Sequence, residues 1–280
     1  MESNEEQIQY WNEKAGPTWV ARQVDLDRLI DPLGRVAIDT AAPSPGEQVL
    51  DVGCGTGQTT VQIADRVQPR GSVLGLDASA VMLSAARLRP YAGTAKVHFL
   101  EADAQTVDFS SSSFDLVFSR FGVMFFTDPE AAFSNLRRGL EPGGRLIFLC
   151  WQSMQHNPWV LRPMMAISQH LELPPPPPAE APGPFSLADP KRIRRLLEAA
   201  GYGTIEIRDL RRPLVLGDGS LDSAVGFLLE IGPTARVLAE AQGGDREAAI
   251  RALRETLEAV SSSDGVVLDS ACWLVEARCS

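Results

Sequence analysis

The chain has 280 residues, 44% hydrophobic and 22% charged, with a formal net charge of -10. This composition is ordinary for a folded globular chain and excludes global disorder and a fibrous repeat. The acidic balance argues against nucleic acid as a partner and against a polybasic membrane-docking face, since both need a positive surface.

The length allows one large domain or two small ones. Met1 to Glu6 are acidic and polar, so no signal peptide, transit peptide or lipidation motif is expected, and no apolar run approaches the ~20 residues of a membrane span. A cytoplasmic protein is the expectation. Cys54, Cys150, Cys272 and Cys279 lack CxxC spacing, and His98, His156 and His170 are the only histidines, so neither a disulfide framework nor a metal site is expected.

In chain order, residues 1–42 read as helical, with Leu29, Leu33, Val36 and Ala37 on one face. From Glu47 to Trp151 short apolar runs alternate with amphipathic stretches. Runs at 49–52, 73–77, 97–100, 114–118 and 145–149 read as strands buried on both faces. Between them, Val61, Ala64 and Val67 share a helix face, and Ser79 can cap a helix ending at Pro90. Asp128-Pro129 opens another helix, with Phe133, Leu136 and Leu140 inward and Gly143-Gly144 as its stop. Ten prolines fall between Pro158 and Pro190, a segment expected to be neither helix nor central strand. Asp189-Pro190 starts a helix closed by Gly201, on which the basic run 191–195 forms a solvated face. Residues 204–210 read as a sixth strand, 219–260 as helical and 266–279 as a closing strand. Repeated βα units imply an α/β, doubly wound, mostly parallel sheet.

The sharpest feature is Asp51-Val52-Gly53-Cys54-Gly55-Thr56-Gly57, a strand entering a glycine turn and then a helix. Glycines there permit positive φ and bring backbone amides to a ligand at a helix start. A phosphate loop would end in Gly-Lys-Ser/Thr, and Gly57-Gln58-Thr59 has no lysine; a dinucleotide fingerprint would place a glycine where Gln58 stands. Asp51, two residues before the first glycine, would repel a pyrophosphate and suit an ammonium group. Asp77 ends the second strand and Asp103 follows the third, at successive intervals of 26 residues. There a carboxylate can take ribose hydroxyls and an exocyclic adenine amine. Three acids on the carboxyl edge of an open sheet describe adenosine joined to an amino acid, as in S-adenosylmethionine.

With Leu76-Asp77-Ala78-Ser79, Met82-Leu83, Glu101-Ala102-Asp103-Ala104, 114–119 and 140–146, the chain resembles class I S-adenosylmethionine-dependent methyltransferases of the ubiquinone/menaquinone-type small-molecule branch. The resemblance implies a Rossmann-like, seven-stranded sheet with helical cap insertions. It implies that Gly53 and Gly55 pass the methionine moiety, that Asp77 holds the ribose, that Met82 packs on adenine, and that Asp103 with the Ala104 amide reads its edge; Asp51, Cys54, Gly57 and Ala78 are counted among the cofactor-binding residues. Ser119 would face the sulfonium. One domain is then expected: an N-terminal closure at 1–42, a cofactor-binding core at 47–151, cap insertions at 152–190 and 217–262, and closing strands at 201–212 and 265–279.

Relatives close an N-terminal helix over the cofactor, which makes Tyr10, Trp11 and Trp19 candidates for that closure, since aromatic faces attract a sulfonium. Trp19 is placed at the cofactor and Tyr10 at the acceptor. Phe121, Met124, Trp151 and Trp159, at the ends of the fourth and fifth strands, would line a pocket for a small aromatic or apolar acceptor. His156 is the candidate general base. Arg120 could orient an acceptor carboxylate or phosphate, or pair with Asp115 or Asp128. Oxygen, nitrogen and carbon acceptors stay open, as does the oligomeric state. The alternatives are an S-adenosylmethionine-binding protein without transferase activity and a nicotinamide-dependent oxidoreductase, which Asp51 and Gln58 disfavour.

Overall fold

The structure, a computed structural model, describes residues 4–109 and 113–279. Helix α1 (Glu5–Gln9) continues through a π-helical turn, Tyr10–Lys14, into α2 (Ala15–Ala21) and α3 (Gln23–Ala41). The βα rhythm then gives β1 (Gln48–Val52), α4 (Gln58–Val67), β2 (Ser72–Asp77), α5 (Ala80–Arg87), β3 (Lys96–Glu101), β4 (Phe114–Arg120), α6 (Pro129–Gly139) and β5 (Leu140–Trp151). There follow α7 (Pro158–Ile167), α8 (Pro190–Ala199), β6 (Tyr202–Val215), α9 (Leu221–Glu230), α10 (Gly232–Glu240), α11 (Gly243–Glu258), β7 (Ser261–Ser262) and β8 (Gly265–Cys279). No helix among the described residues is long and apolar enough to cross a membrane.

The strand order is β3-β2-β1-β4-β5-β8-β6, with β7 paired to β8 as a short hairpin. Strands β1 to β5 pair in parallel, and β8 inserts antiparallel between β5 and β6. This is a doubly wound α/β fold. Right-handed crossovers put α4 and α5 on one face and α6 on the other, because the chain winds one way from β1 to β3 and the other way from β4 to β5. The order reverses between β1 and β4, and ligands of open sheets lie beside that switch, at the carboxyl ends of the strands.

Local signals explain most boundaries. Ser79 accepts the Met82 N–H at 3.3 Å and Asp128 accepts the Ala131 N–H at 2.9 Å, each satisfying an N–H that a helix start leaves free. At the opposite sheet edge Arg145 ties α3 to β1: its Nε donates to the Ala41 carbonyl at 2.8 Å, and its two terminal nitrogens fork onto Glu47 at 3.0 and 2.9 Å. A guanidinium at a helix C-terminus answers both the unpaired carbonyls and the dipole.

Two expectations are corrected. Helix α6 stops at Gly139, not at Gly143-Gly144, because Leu140 pairs with Phe114 and already belongs to β5. The proline-rich stretch also begins with a helix. Pro158 takes the first helical position, where its missing N–H costs nothing, and Pro163 is tolerated within α7, where Trp159, Val160, Met164 and Ile167 are buried.

Aromatic contacts help seat α6 on the sheet: Phe133 lies 5.5 Å from Phe148 and 6.0 Å from Phe126, centroid to centroid, and Phe133 and Phe148 are fully buried. Phe148→Ala is expected to cost ~3–5 kcal/mol, read as a lower denaturant midpoint with an unchanged slope.

Candidate functional site

Strand β1 delivers Asp51 to the switch point and turns at Gly53, whose φ is +65°. A Cβ there would lie 2.7 Å from the Gly122 Cα, so a glycine is required both by conformation and by the close approach of the loop after β4. The amides of the turn are largely spent within the protein. Gly53 and Cys54 donate to the Leu76 carbonyl at 2.8 and 3.1 Å, and Gly57 donates to the Cys54 carbonyl at 2.9 Å. That arrangement is a poor phosphate cradle. It leaves recognition to the carboxylates around the turn.

Asp51 is completely buried. Its Oδ2 accepts the hydroxyls of Thr59 and Thr60 at 2.8 and 2.7 Å, while its Oδ1 is sealed from solvent without a donor. Burial pushes its pKa from 3.8 up to about 6; the hydroxyls of Thr60 and Thr59 and the charge of Arg120 oppose that rise, and Asp77 adds to it. Asp77, at the end of β2, accepts the Gly55 N–H at 2.8 Å on Oδ2 and the Ser79 N–H at 2.9 Å on Oδ1. Burial raises its pKa too, against the pull of those amides. Each of its oxygens keeps acceptor capacity for a further donor. Met82, on the first turn of α5, reaches over the turn, its Cε 2.8 Å from where a Gly55 Cβ would stand. Burial holds the Cys54 thiol well above its usual pKa, helped by Asp77 and Asp51, which makes it a filler of the turn.

Beyond β3, Asp103 Oδ1 accepts the Gln105 N–H at 2.9 Å and the Asn4 amide at 3.2 Å. Ala104 is buried, and its carbonyl accepts from Asn135 at 2.9 Å. Gln105 presents its Oε1 to the Asp128 N–H at 3.0 Å and leaves Nε2 buried without a partner.

The N-terminal helices lie on these loops through groups the sequence did not single out. Asn12 donates to the Ala78 carbonyl at 3.0 Å and accepts the Ala80 N–H at 2.9 Å; Ser79 donates to the Trp11 carbonyl at 2.9 Å. Asn4 also accepts the Thr127 hydroxyl at 2.9 Å. Trp11 meets Trp19 at 5.3 Å and Phe125 at 4.9 Å, both edge to face. Tyr10 packs on Trp11 at 5.7 Å and accepts from Arg236 of α10 at 2.9 Å. The hydrogen bonds among these contacts span 66 to 226 residues, and no local pattern encodes them.

At the end of β4 the Ser119 hydroxyl donates to the Val52 carbonyl at 2.7 Å. Arg120 donates to Gln58 Oε1 at 2.5 Å, and among the described residues it has no carboxylate within ion-pair distance, so neither Asp115 nor Asp128 is its partner. Phe121 takes φ +66°, a left-handed conformation that costs a non-glycine residue ~1–3 kcal/mol. It stacks on Trp151 at 4.1 Å, and Trp151 meets Trp159 at 5.2 Å. Met124 is buried beside them, its sulfur accepting the Trp151 backbone N–H at 3.3 Å. The acceptor candidates thus fall into two groups, Tyr10 with the N-terminal helices and the other four in this stack. His156 is exposed on the 3-10 turn Met154–His156.

Residues 49–144 match the family described as methyltransferase domain. That match spans about a third of the chain. The chain is similar to aklanonic acid methyltransferase of Streptomyces sp. (strain C5), 36% identical over 42% of this chain and 54% of the relative. It is similar to demethylmenaquinone methyltransferase of Thermus thermophilus, 39% identical over 41% and 52%, and to a ubiquinone/menaquinone biosynthesis C-methyltransferase of Shewanella frigidimarina, 35% identical over 44% and 50%. The chain spans about half the length of these curated relatives. Among solved structures, the Bacillus subtilis YcgJ protein superposes with TM-score 0.56 at 18% identity, covering 89% of this chain and 98% of that one. Phosphoethanolamine N-methyltransferase 2 of Haemonchus contortus, in complex with phosphomonomethylethanolamine and S-adenosylhomocysteine, gives TM-score 0.56 at 18% identity over 100% and 60%. These likenesses show the class I, Rossmann-like fold.

The raised pKa of Asp51 has a thermodynamic consequence. Between pH 4 and 6 the unfolded chain has released the proton that native Asp51 keeps, so this residue's contribution to stability falls as pH rises through that window and is level above it. Asp51→Asn is expected to remove that fall, making the ligand-free variant more stable than wild type above pH 6 by up to ~3 kcal/mol, measured by denaturation from pH 4 to 8.

Proposed function

We propose that this chain binds S-adenosylmethionine and transfers its methyl group to a small aromatic or apolar metabolite. The observation that carries the reading is the placement of Asp51, Asp77 and Asp103 at or just beyond the ends of β1, β2 and β3, with Asp51 Oδ1 buried and lacking a donor. A buried acceptor without a donor costs ~1–3 kcal/mol, a cost that a ligand ammonium would relieve. The acceptor capacity left on Asp77 suits ribose hydroxyls, and Asp103 with the Ala104 amide suits an adenine edge, as the family resemblance implies.

When bound, S-adenosylmethionine supplies an electrophilic methyl carried by a sulfonium. The protein's part is alignment and exclusion of water, since methyl transfer is an in-line displacement. Gly53 and Gly55 with Asp51 orient the amino-acid end, Asp77 and Ala78 fix the ribose, and Ser119, at the end of β4, is the residue that the family resemblance assigns to the sulfonium side. Trp11, Trp19 and Phe125 lie with the closure and favour a cation, and Phe121, Met124, Trp151 and Trp159 give the acceptor side its apolar character. The quinone and polyketide names of the relatives agree with such an acceptor. The same resemblance supports residues 1–280 as one domain with the closure and caps set around the core. The spent amides of the glycine turn weigh against a nicotinamide dinucleotide.

Calorimetry with S-adenosylhomocysteine is expected to show binding, and Asp77→Ala to weaken it about ten- to a hundredfold; unchanged affinity in the variant contradicts the ribose assignment. Incubation with methyl-labelled cofactor and a metabolite extract is expected to label a small apolar product. Absence of transfer alongside intact binding favours a cofactor-binding protein. Asn12→Ala removes the bonds to Ala78 and Ala80, and is expected to speed amide exchange across residues 5–21 and to shorten the residence of bound S-adenosylhomocysteine several-fold.

A further inference from the structure

Arg120 stands apart from the other cations around the glycine turn. Arg89 is occupied by Asp27 at 2.7 Å and by the Thr56 carbonyl at 2.8 Å, and Arg35 by Asp31 at 2.5 Å. Asp31 also receives Gln62 at 2.5 Å and Gln58 at 3.3 Å, and Asp51 receives Thr59 and Thr60. The acids whose fields reach Arg120 are Asp27, Asp51 and Asp31, and each is already engaged by another group. Arg120 itself spends one N–H on Gln58 Oε1 and has no ion-pair partner among the described residues.

Its position is built. Gly34 in α3 leaves a notch for the side chain: a Cβ there would stand 3.0 Å from the Arg120 Cδ and 3.2 Å from Nη1. Gln58 opens α4 directly after the glycine turn, and its neighbours Thr59 and Thr60 hold Asp51. A guanidinium with open donors is therefore fixed at the turn, beyond ion-pair distance of Asp51 but within its field, and Asp51 keeps an open acceptor. An α-amino acid end carries the complementary pair, an ammonium and a carboxylate on one carbon.

We propose that Arg120 receives the α-carboxylate of the amino-acid end of the cofactor while Asp51 receives its ammonium. The proposal rests on the methyltransferase reading above. It moves Arg120 from the acceptor to the cofactor and makes recognition of the amino-acid end a matter of two opposite side-chain charges. A planar fork suits a carboxylate better than an ammonium point charge does, so lysine is an imperfect replacement.

Three probes separate the outcomes by calorimetry: S-adenosylhomocysteine, its decarboxylated analogue, and 5′-methylthioadenosine, which lacks the amino-acid end. Wild type is expected to bind S-adenosylhomocysteine about ten- to a hundredfold more tightly than the decarboxylated analogue. Arg120→Met is expected to bring that ratio close to one while leaving 5′-methylthioadenosine affinity unchanged, and Arg120→Lys, which keeps the charge in the fold, to lie between. A wild type indifferent to the carboxylate, or variants that keep the full ratio, overturn the proposal. Equal weakening of all three probes assigns Arg120 a structural role and overturns it as well. If wild type binds none of the probes, the methyltransferase reading itself fails.

Discussion

The buried carboxylate of Asp51 is the constraint around which the rest of the site is arranged. A parallel sheet delivers it to the switch point with no access to water, and two threonines of the next helix satisfy only one of its oxygens. The remaining oxygen and the raised pKa amount to a local instability in the ligand-free chain. Such an arrangement persists when the surrounding structure over-determines it, and here β1, β4 and α4 do so. A residue that destabilises the empty protein and would be relieved by a cation is better explained by a cationic ligand than by folding.

The glycine turn follows from the same constraint. In phosphate-binding turns the backbone amides point at the ligand; here those of Gly53, Cys54, Gly55 and Gly57 close onto Leu76, Asp77 and Cys54. The loops that present Asp77 and Asp103 are also the loops on which the N-terminal helices rest, through Asn12 at Ala78 and Ala80 and Asn4 at Asp103. In the proposed reading, closure and ligand recognition therefore share backbone and side-chain groups. The α10 contact from Arg236 to Tyr10 and the ion pair between Arg22 and Glu230 of α9 extend that link to the helices near the C-terminal end.

Much of this was legible in the chain because it is local. Apolar runs marked the strands, Ser79, Asp128 and Asp189 marked helix starts, and the interval of 26 residues between Asp51, Asp77 and Asp103 reflected the βα repeat that returns the chain to one sheet edge. The N-terminal amides were not legible, since Asn4 and Asn12 act on residues 66 to 123 positions away. Gln58 read only as the absence of a lysine, yet it holds Arg120. Gly143-Gly144 looked like a helix stop because Leu140 is buried whether it ends a helix or begins a strand, and only its pairing with Phe114 decides. That Pro163 lies within α7 was not legible, because the proline-rich composition masks the buried face of Trp159, Val160, Met164 and Ile167.

The most direct test of the account is a structure of the chain with S-adenosylhomocysteine bound. The account places the ligand's ammonium within hydrogen-bond distance of Asp51 Oδ1, its ribose hydroxyls on Asp77 and its adenine between Met82 and Asp103. A ligand that leaves Asp51 Oδ1 without a donor, or that lies away from the carboxyl ends of β1, β2 and β3, would contradict it.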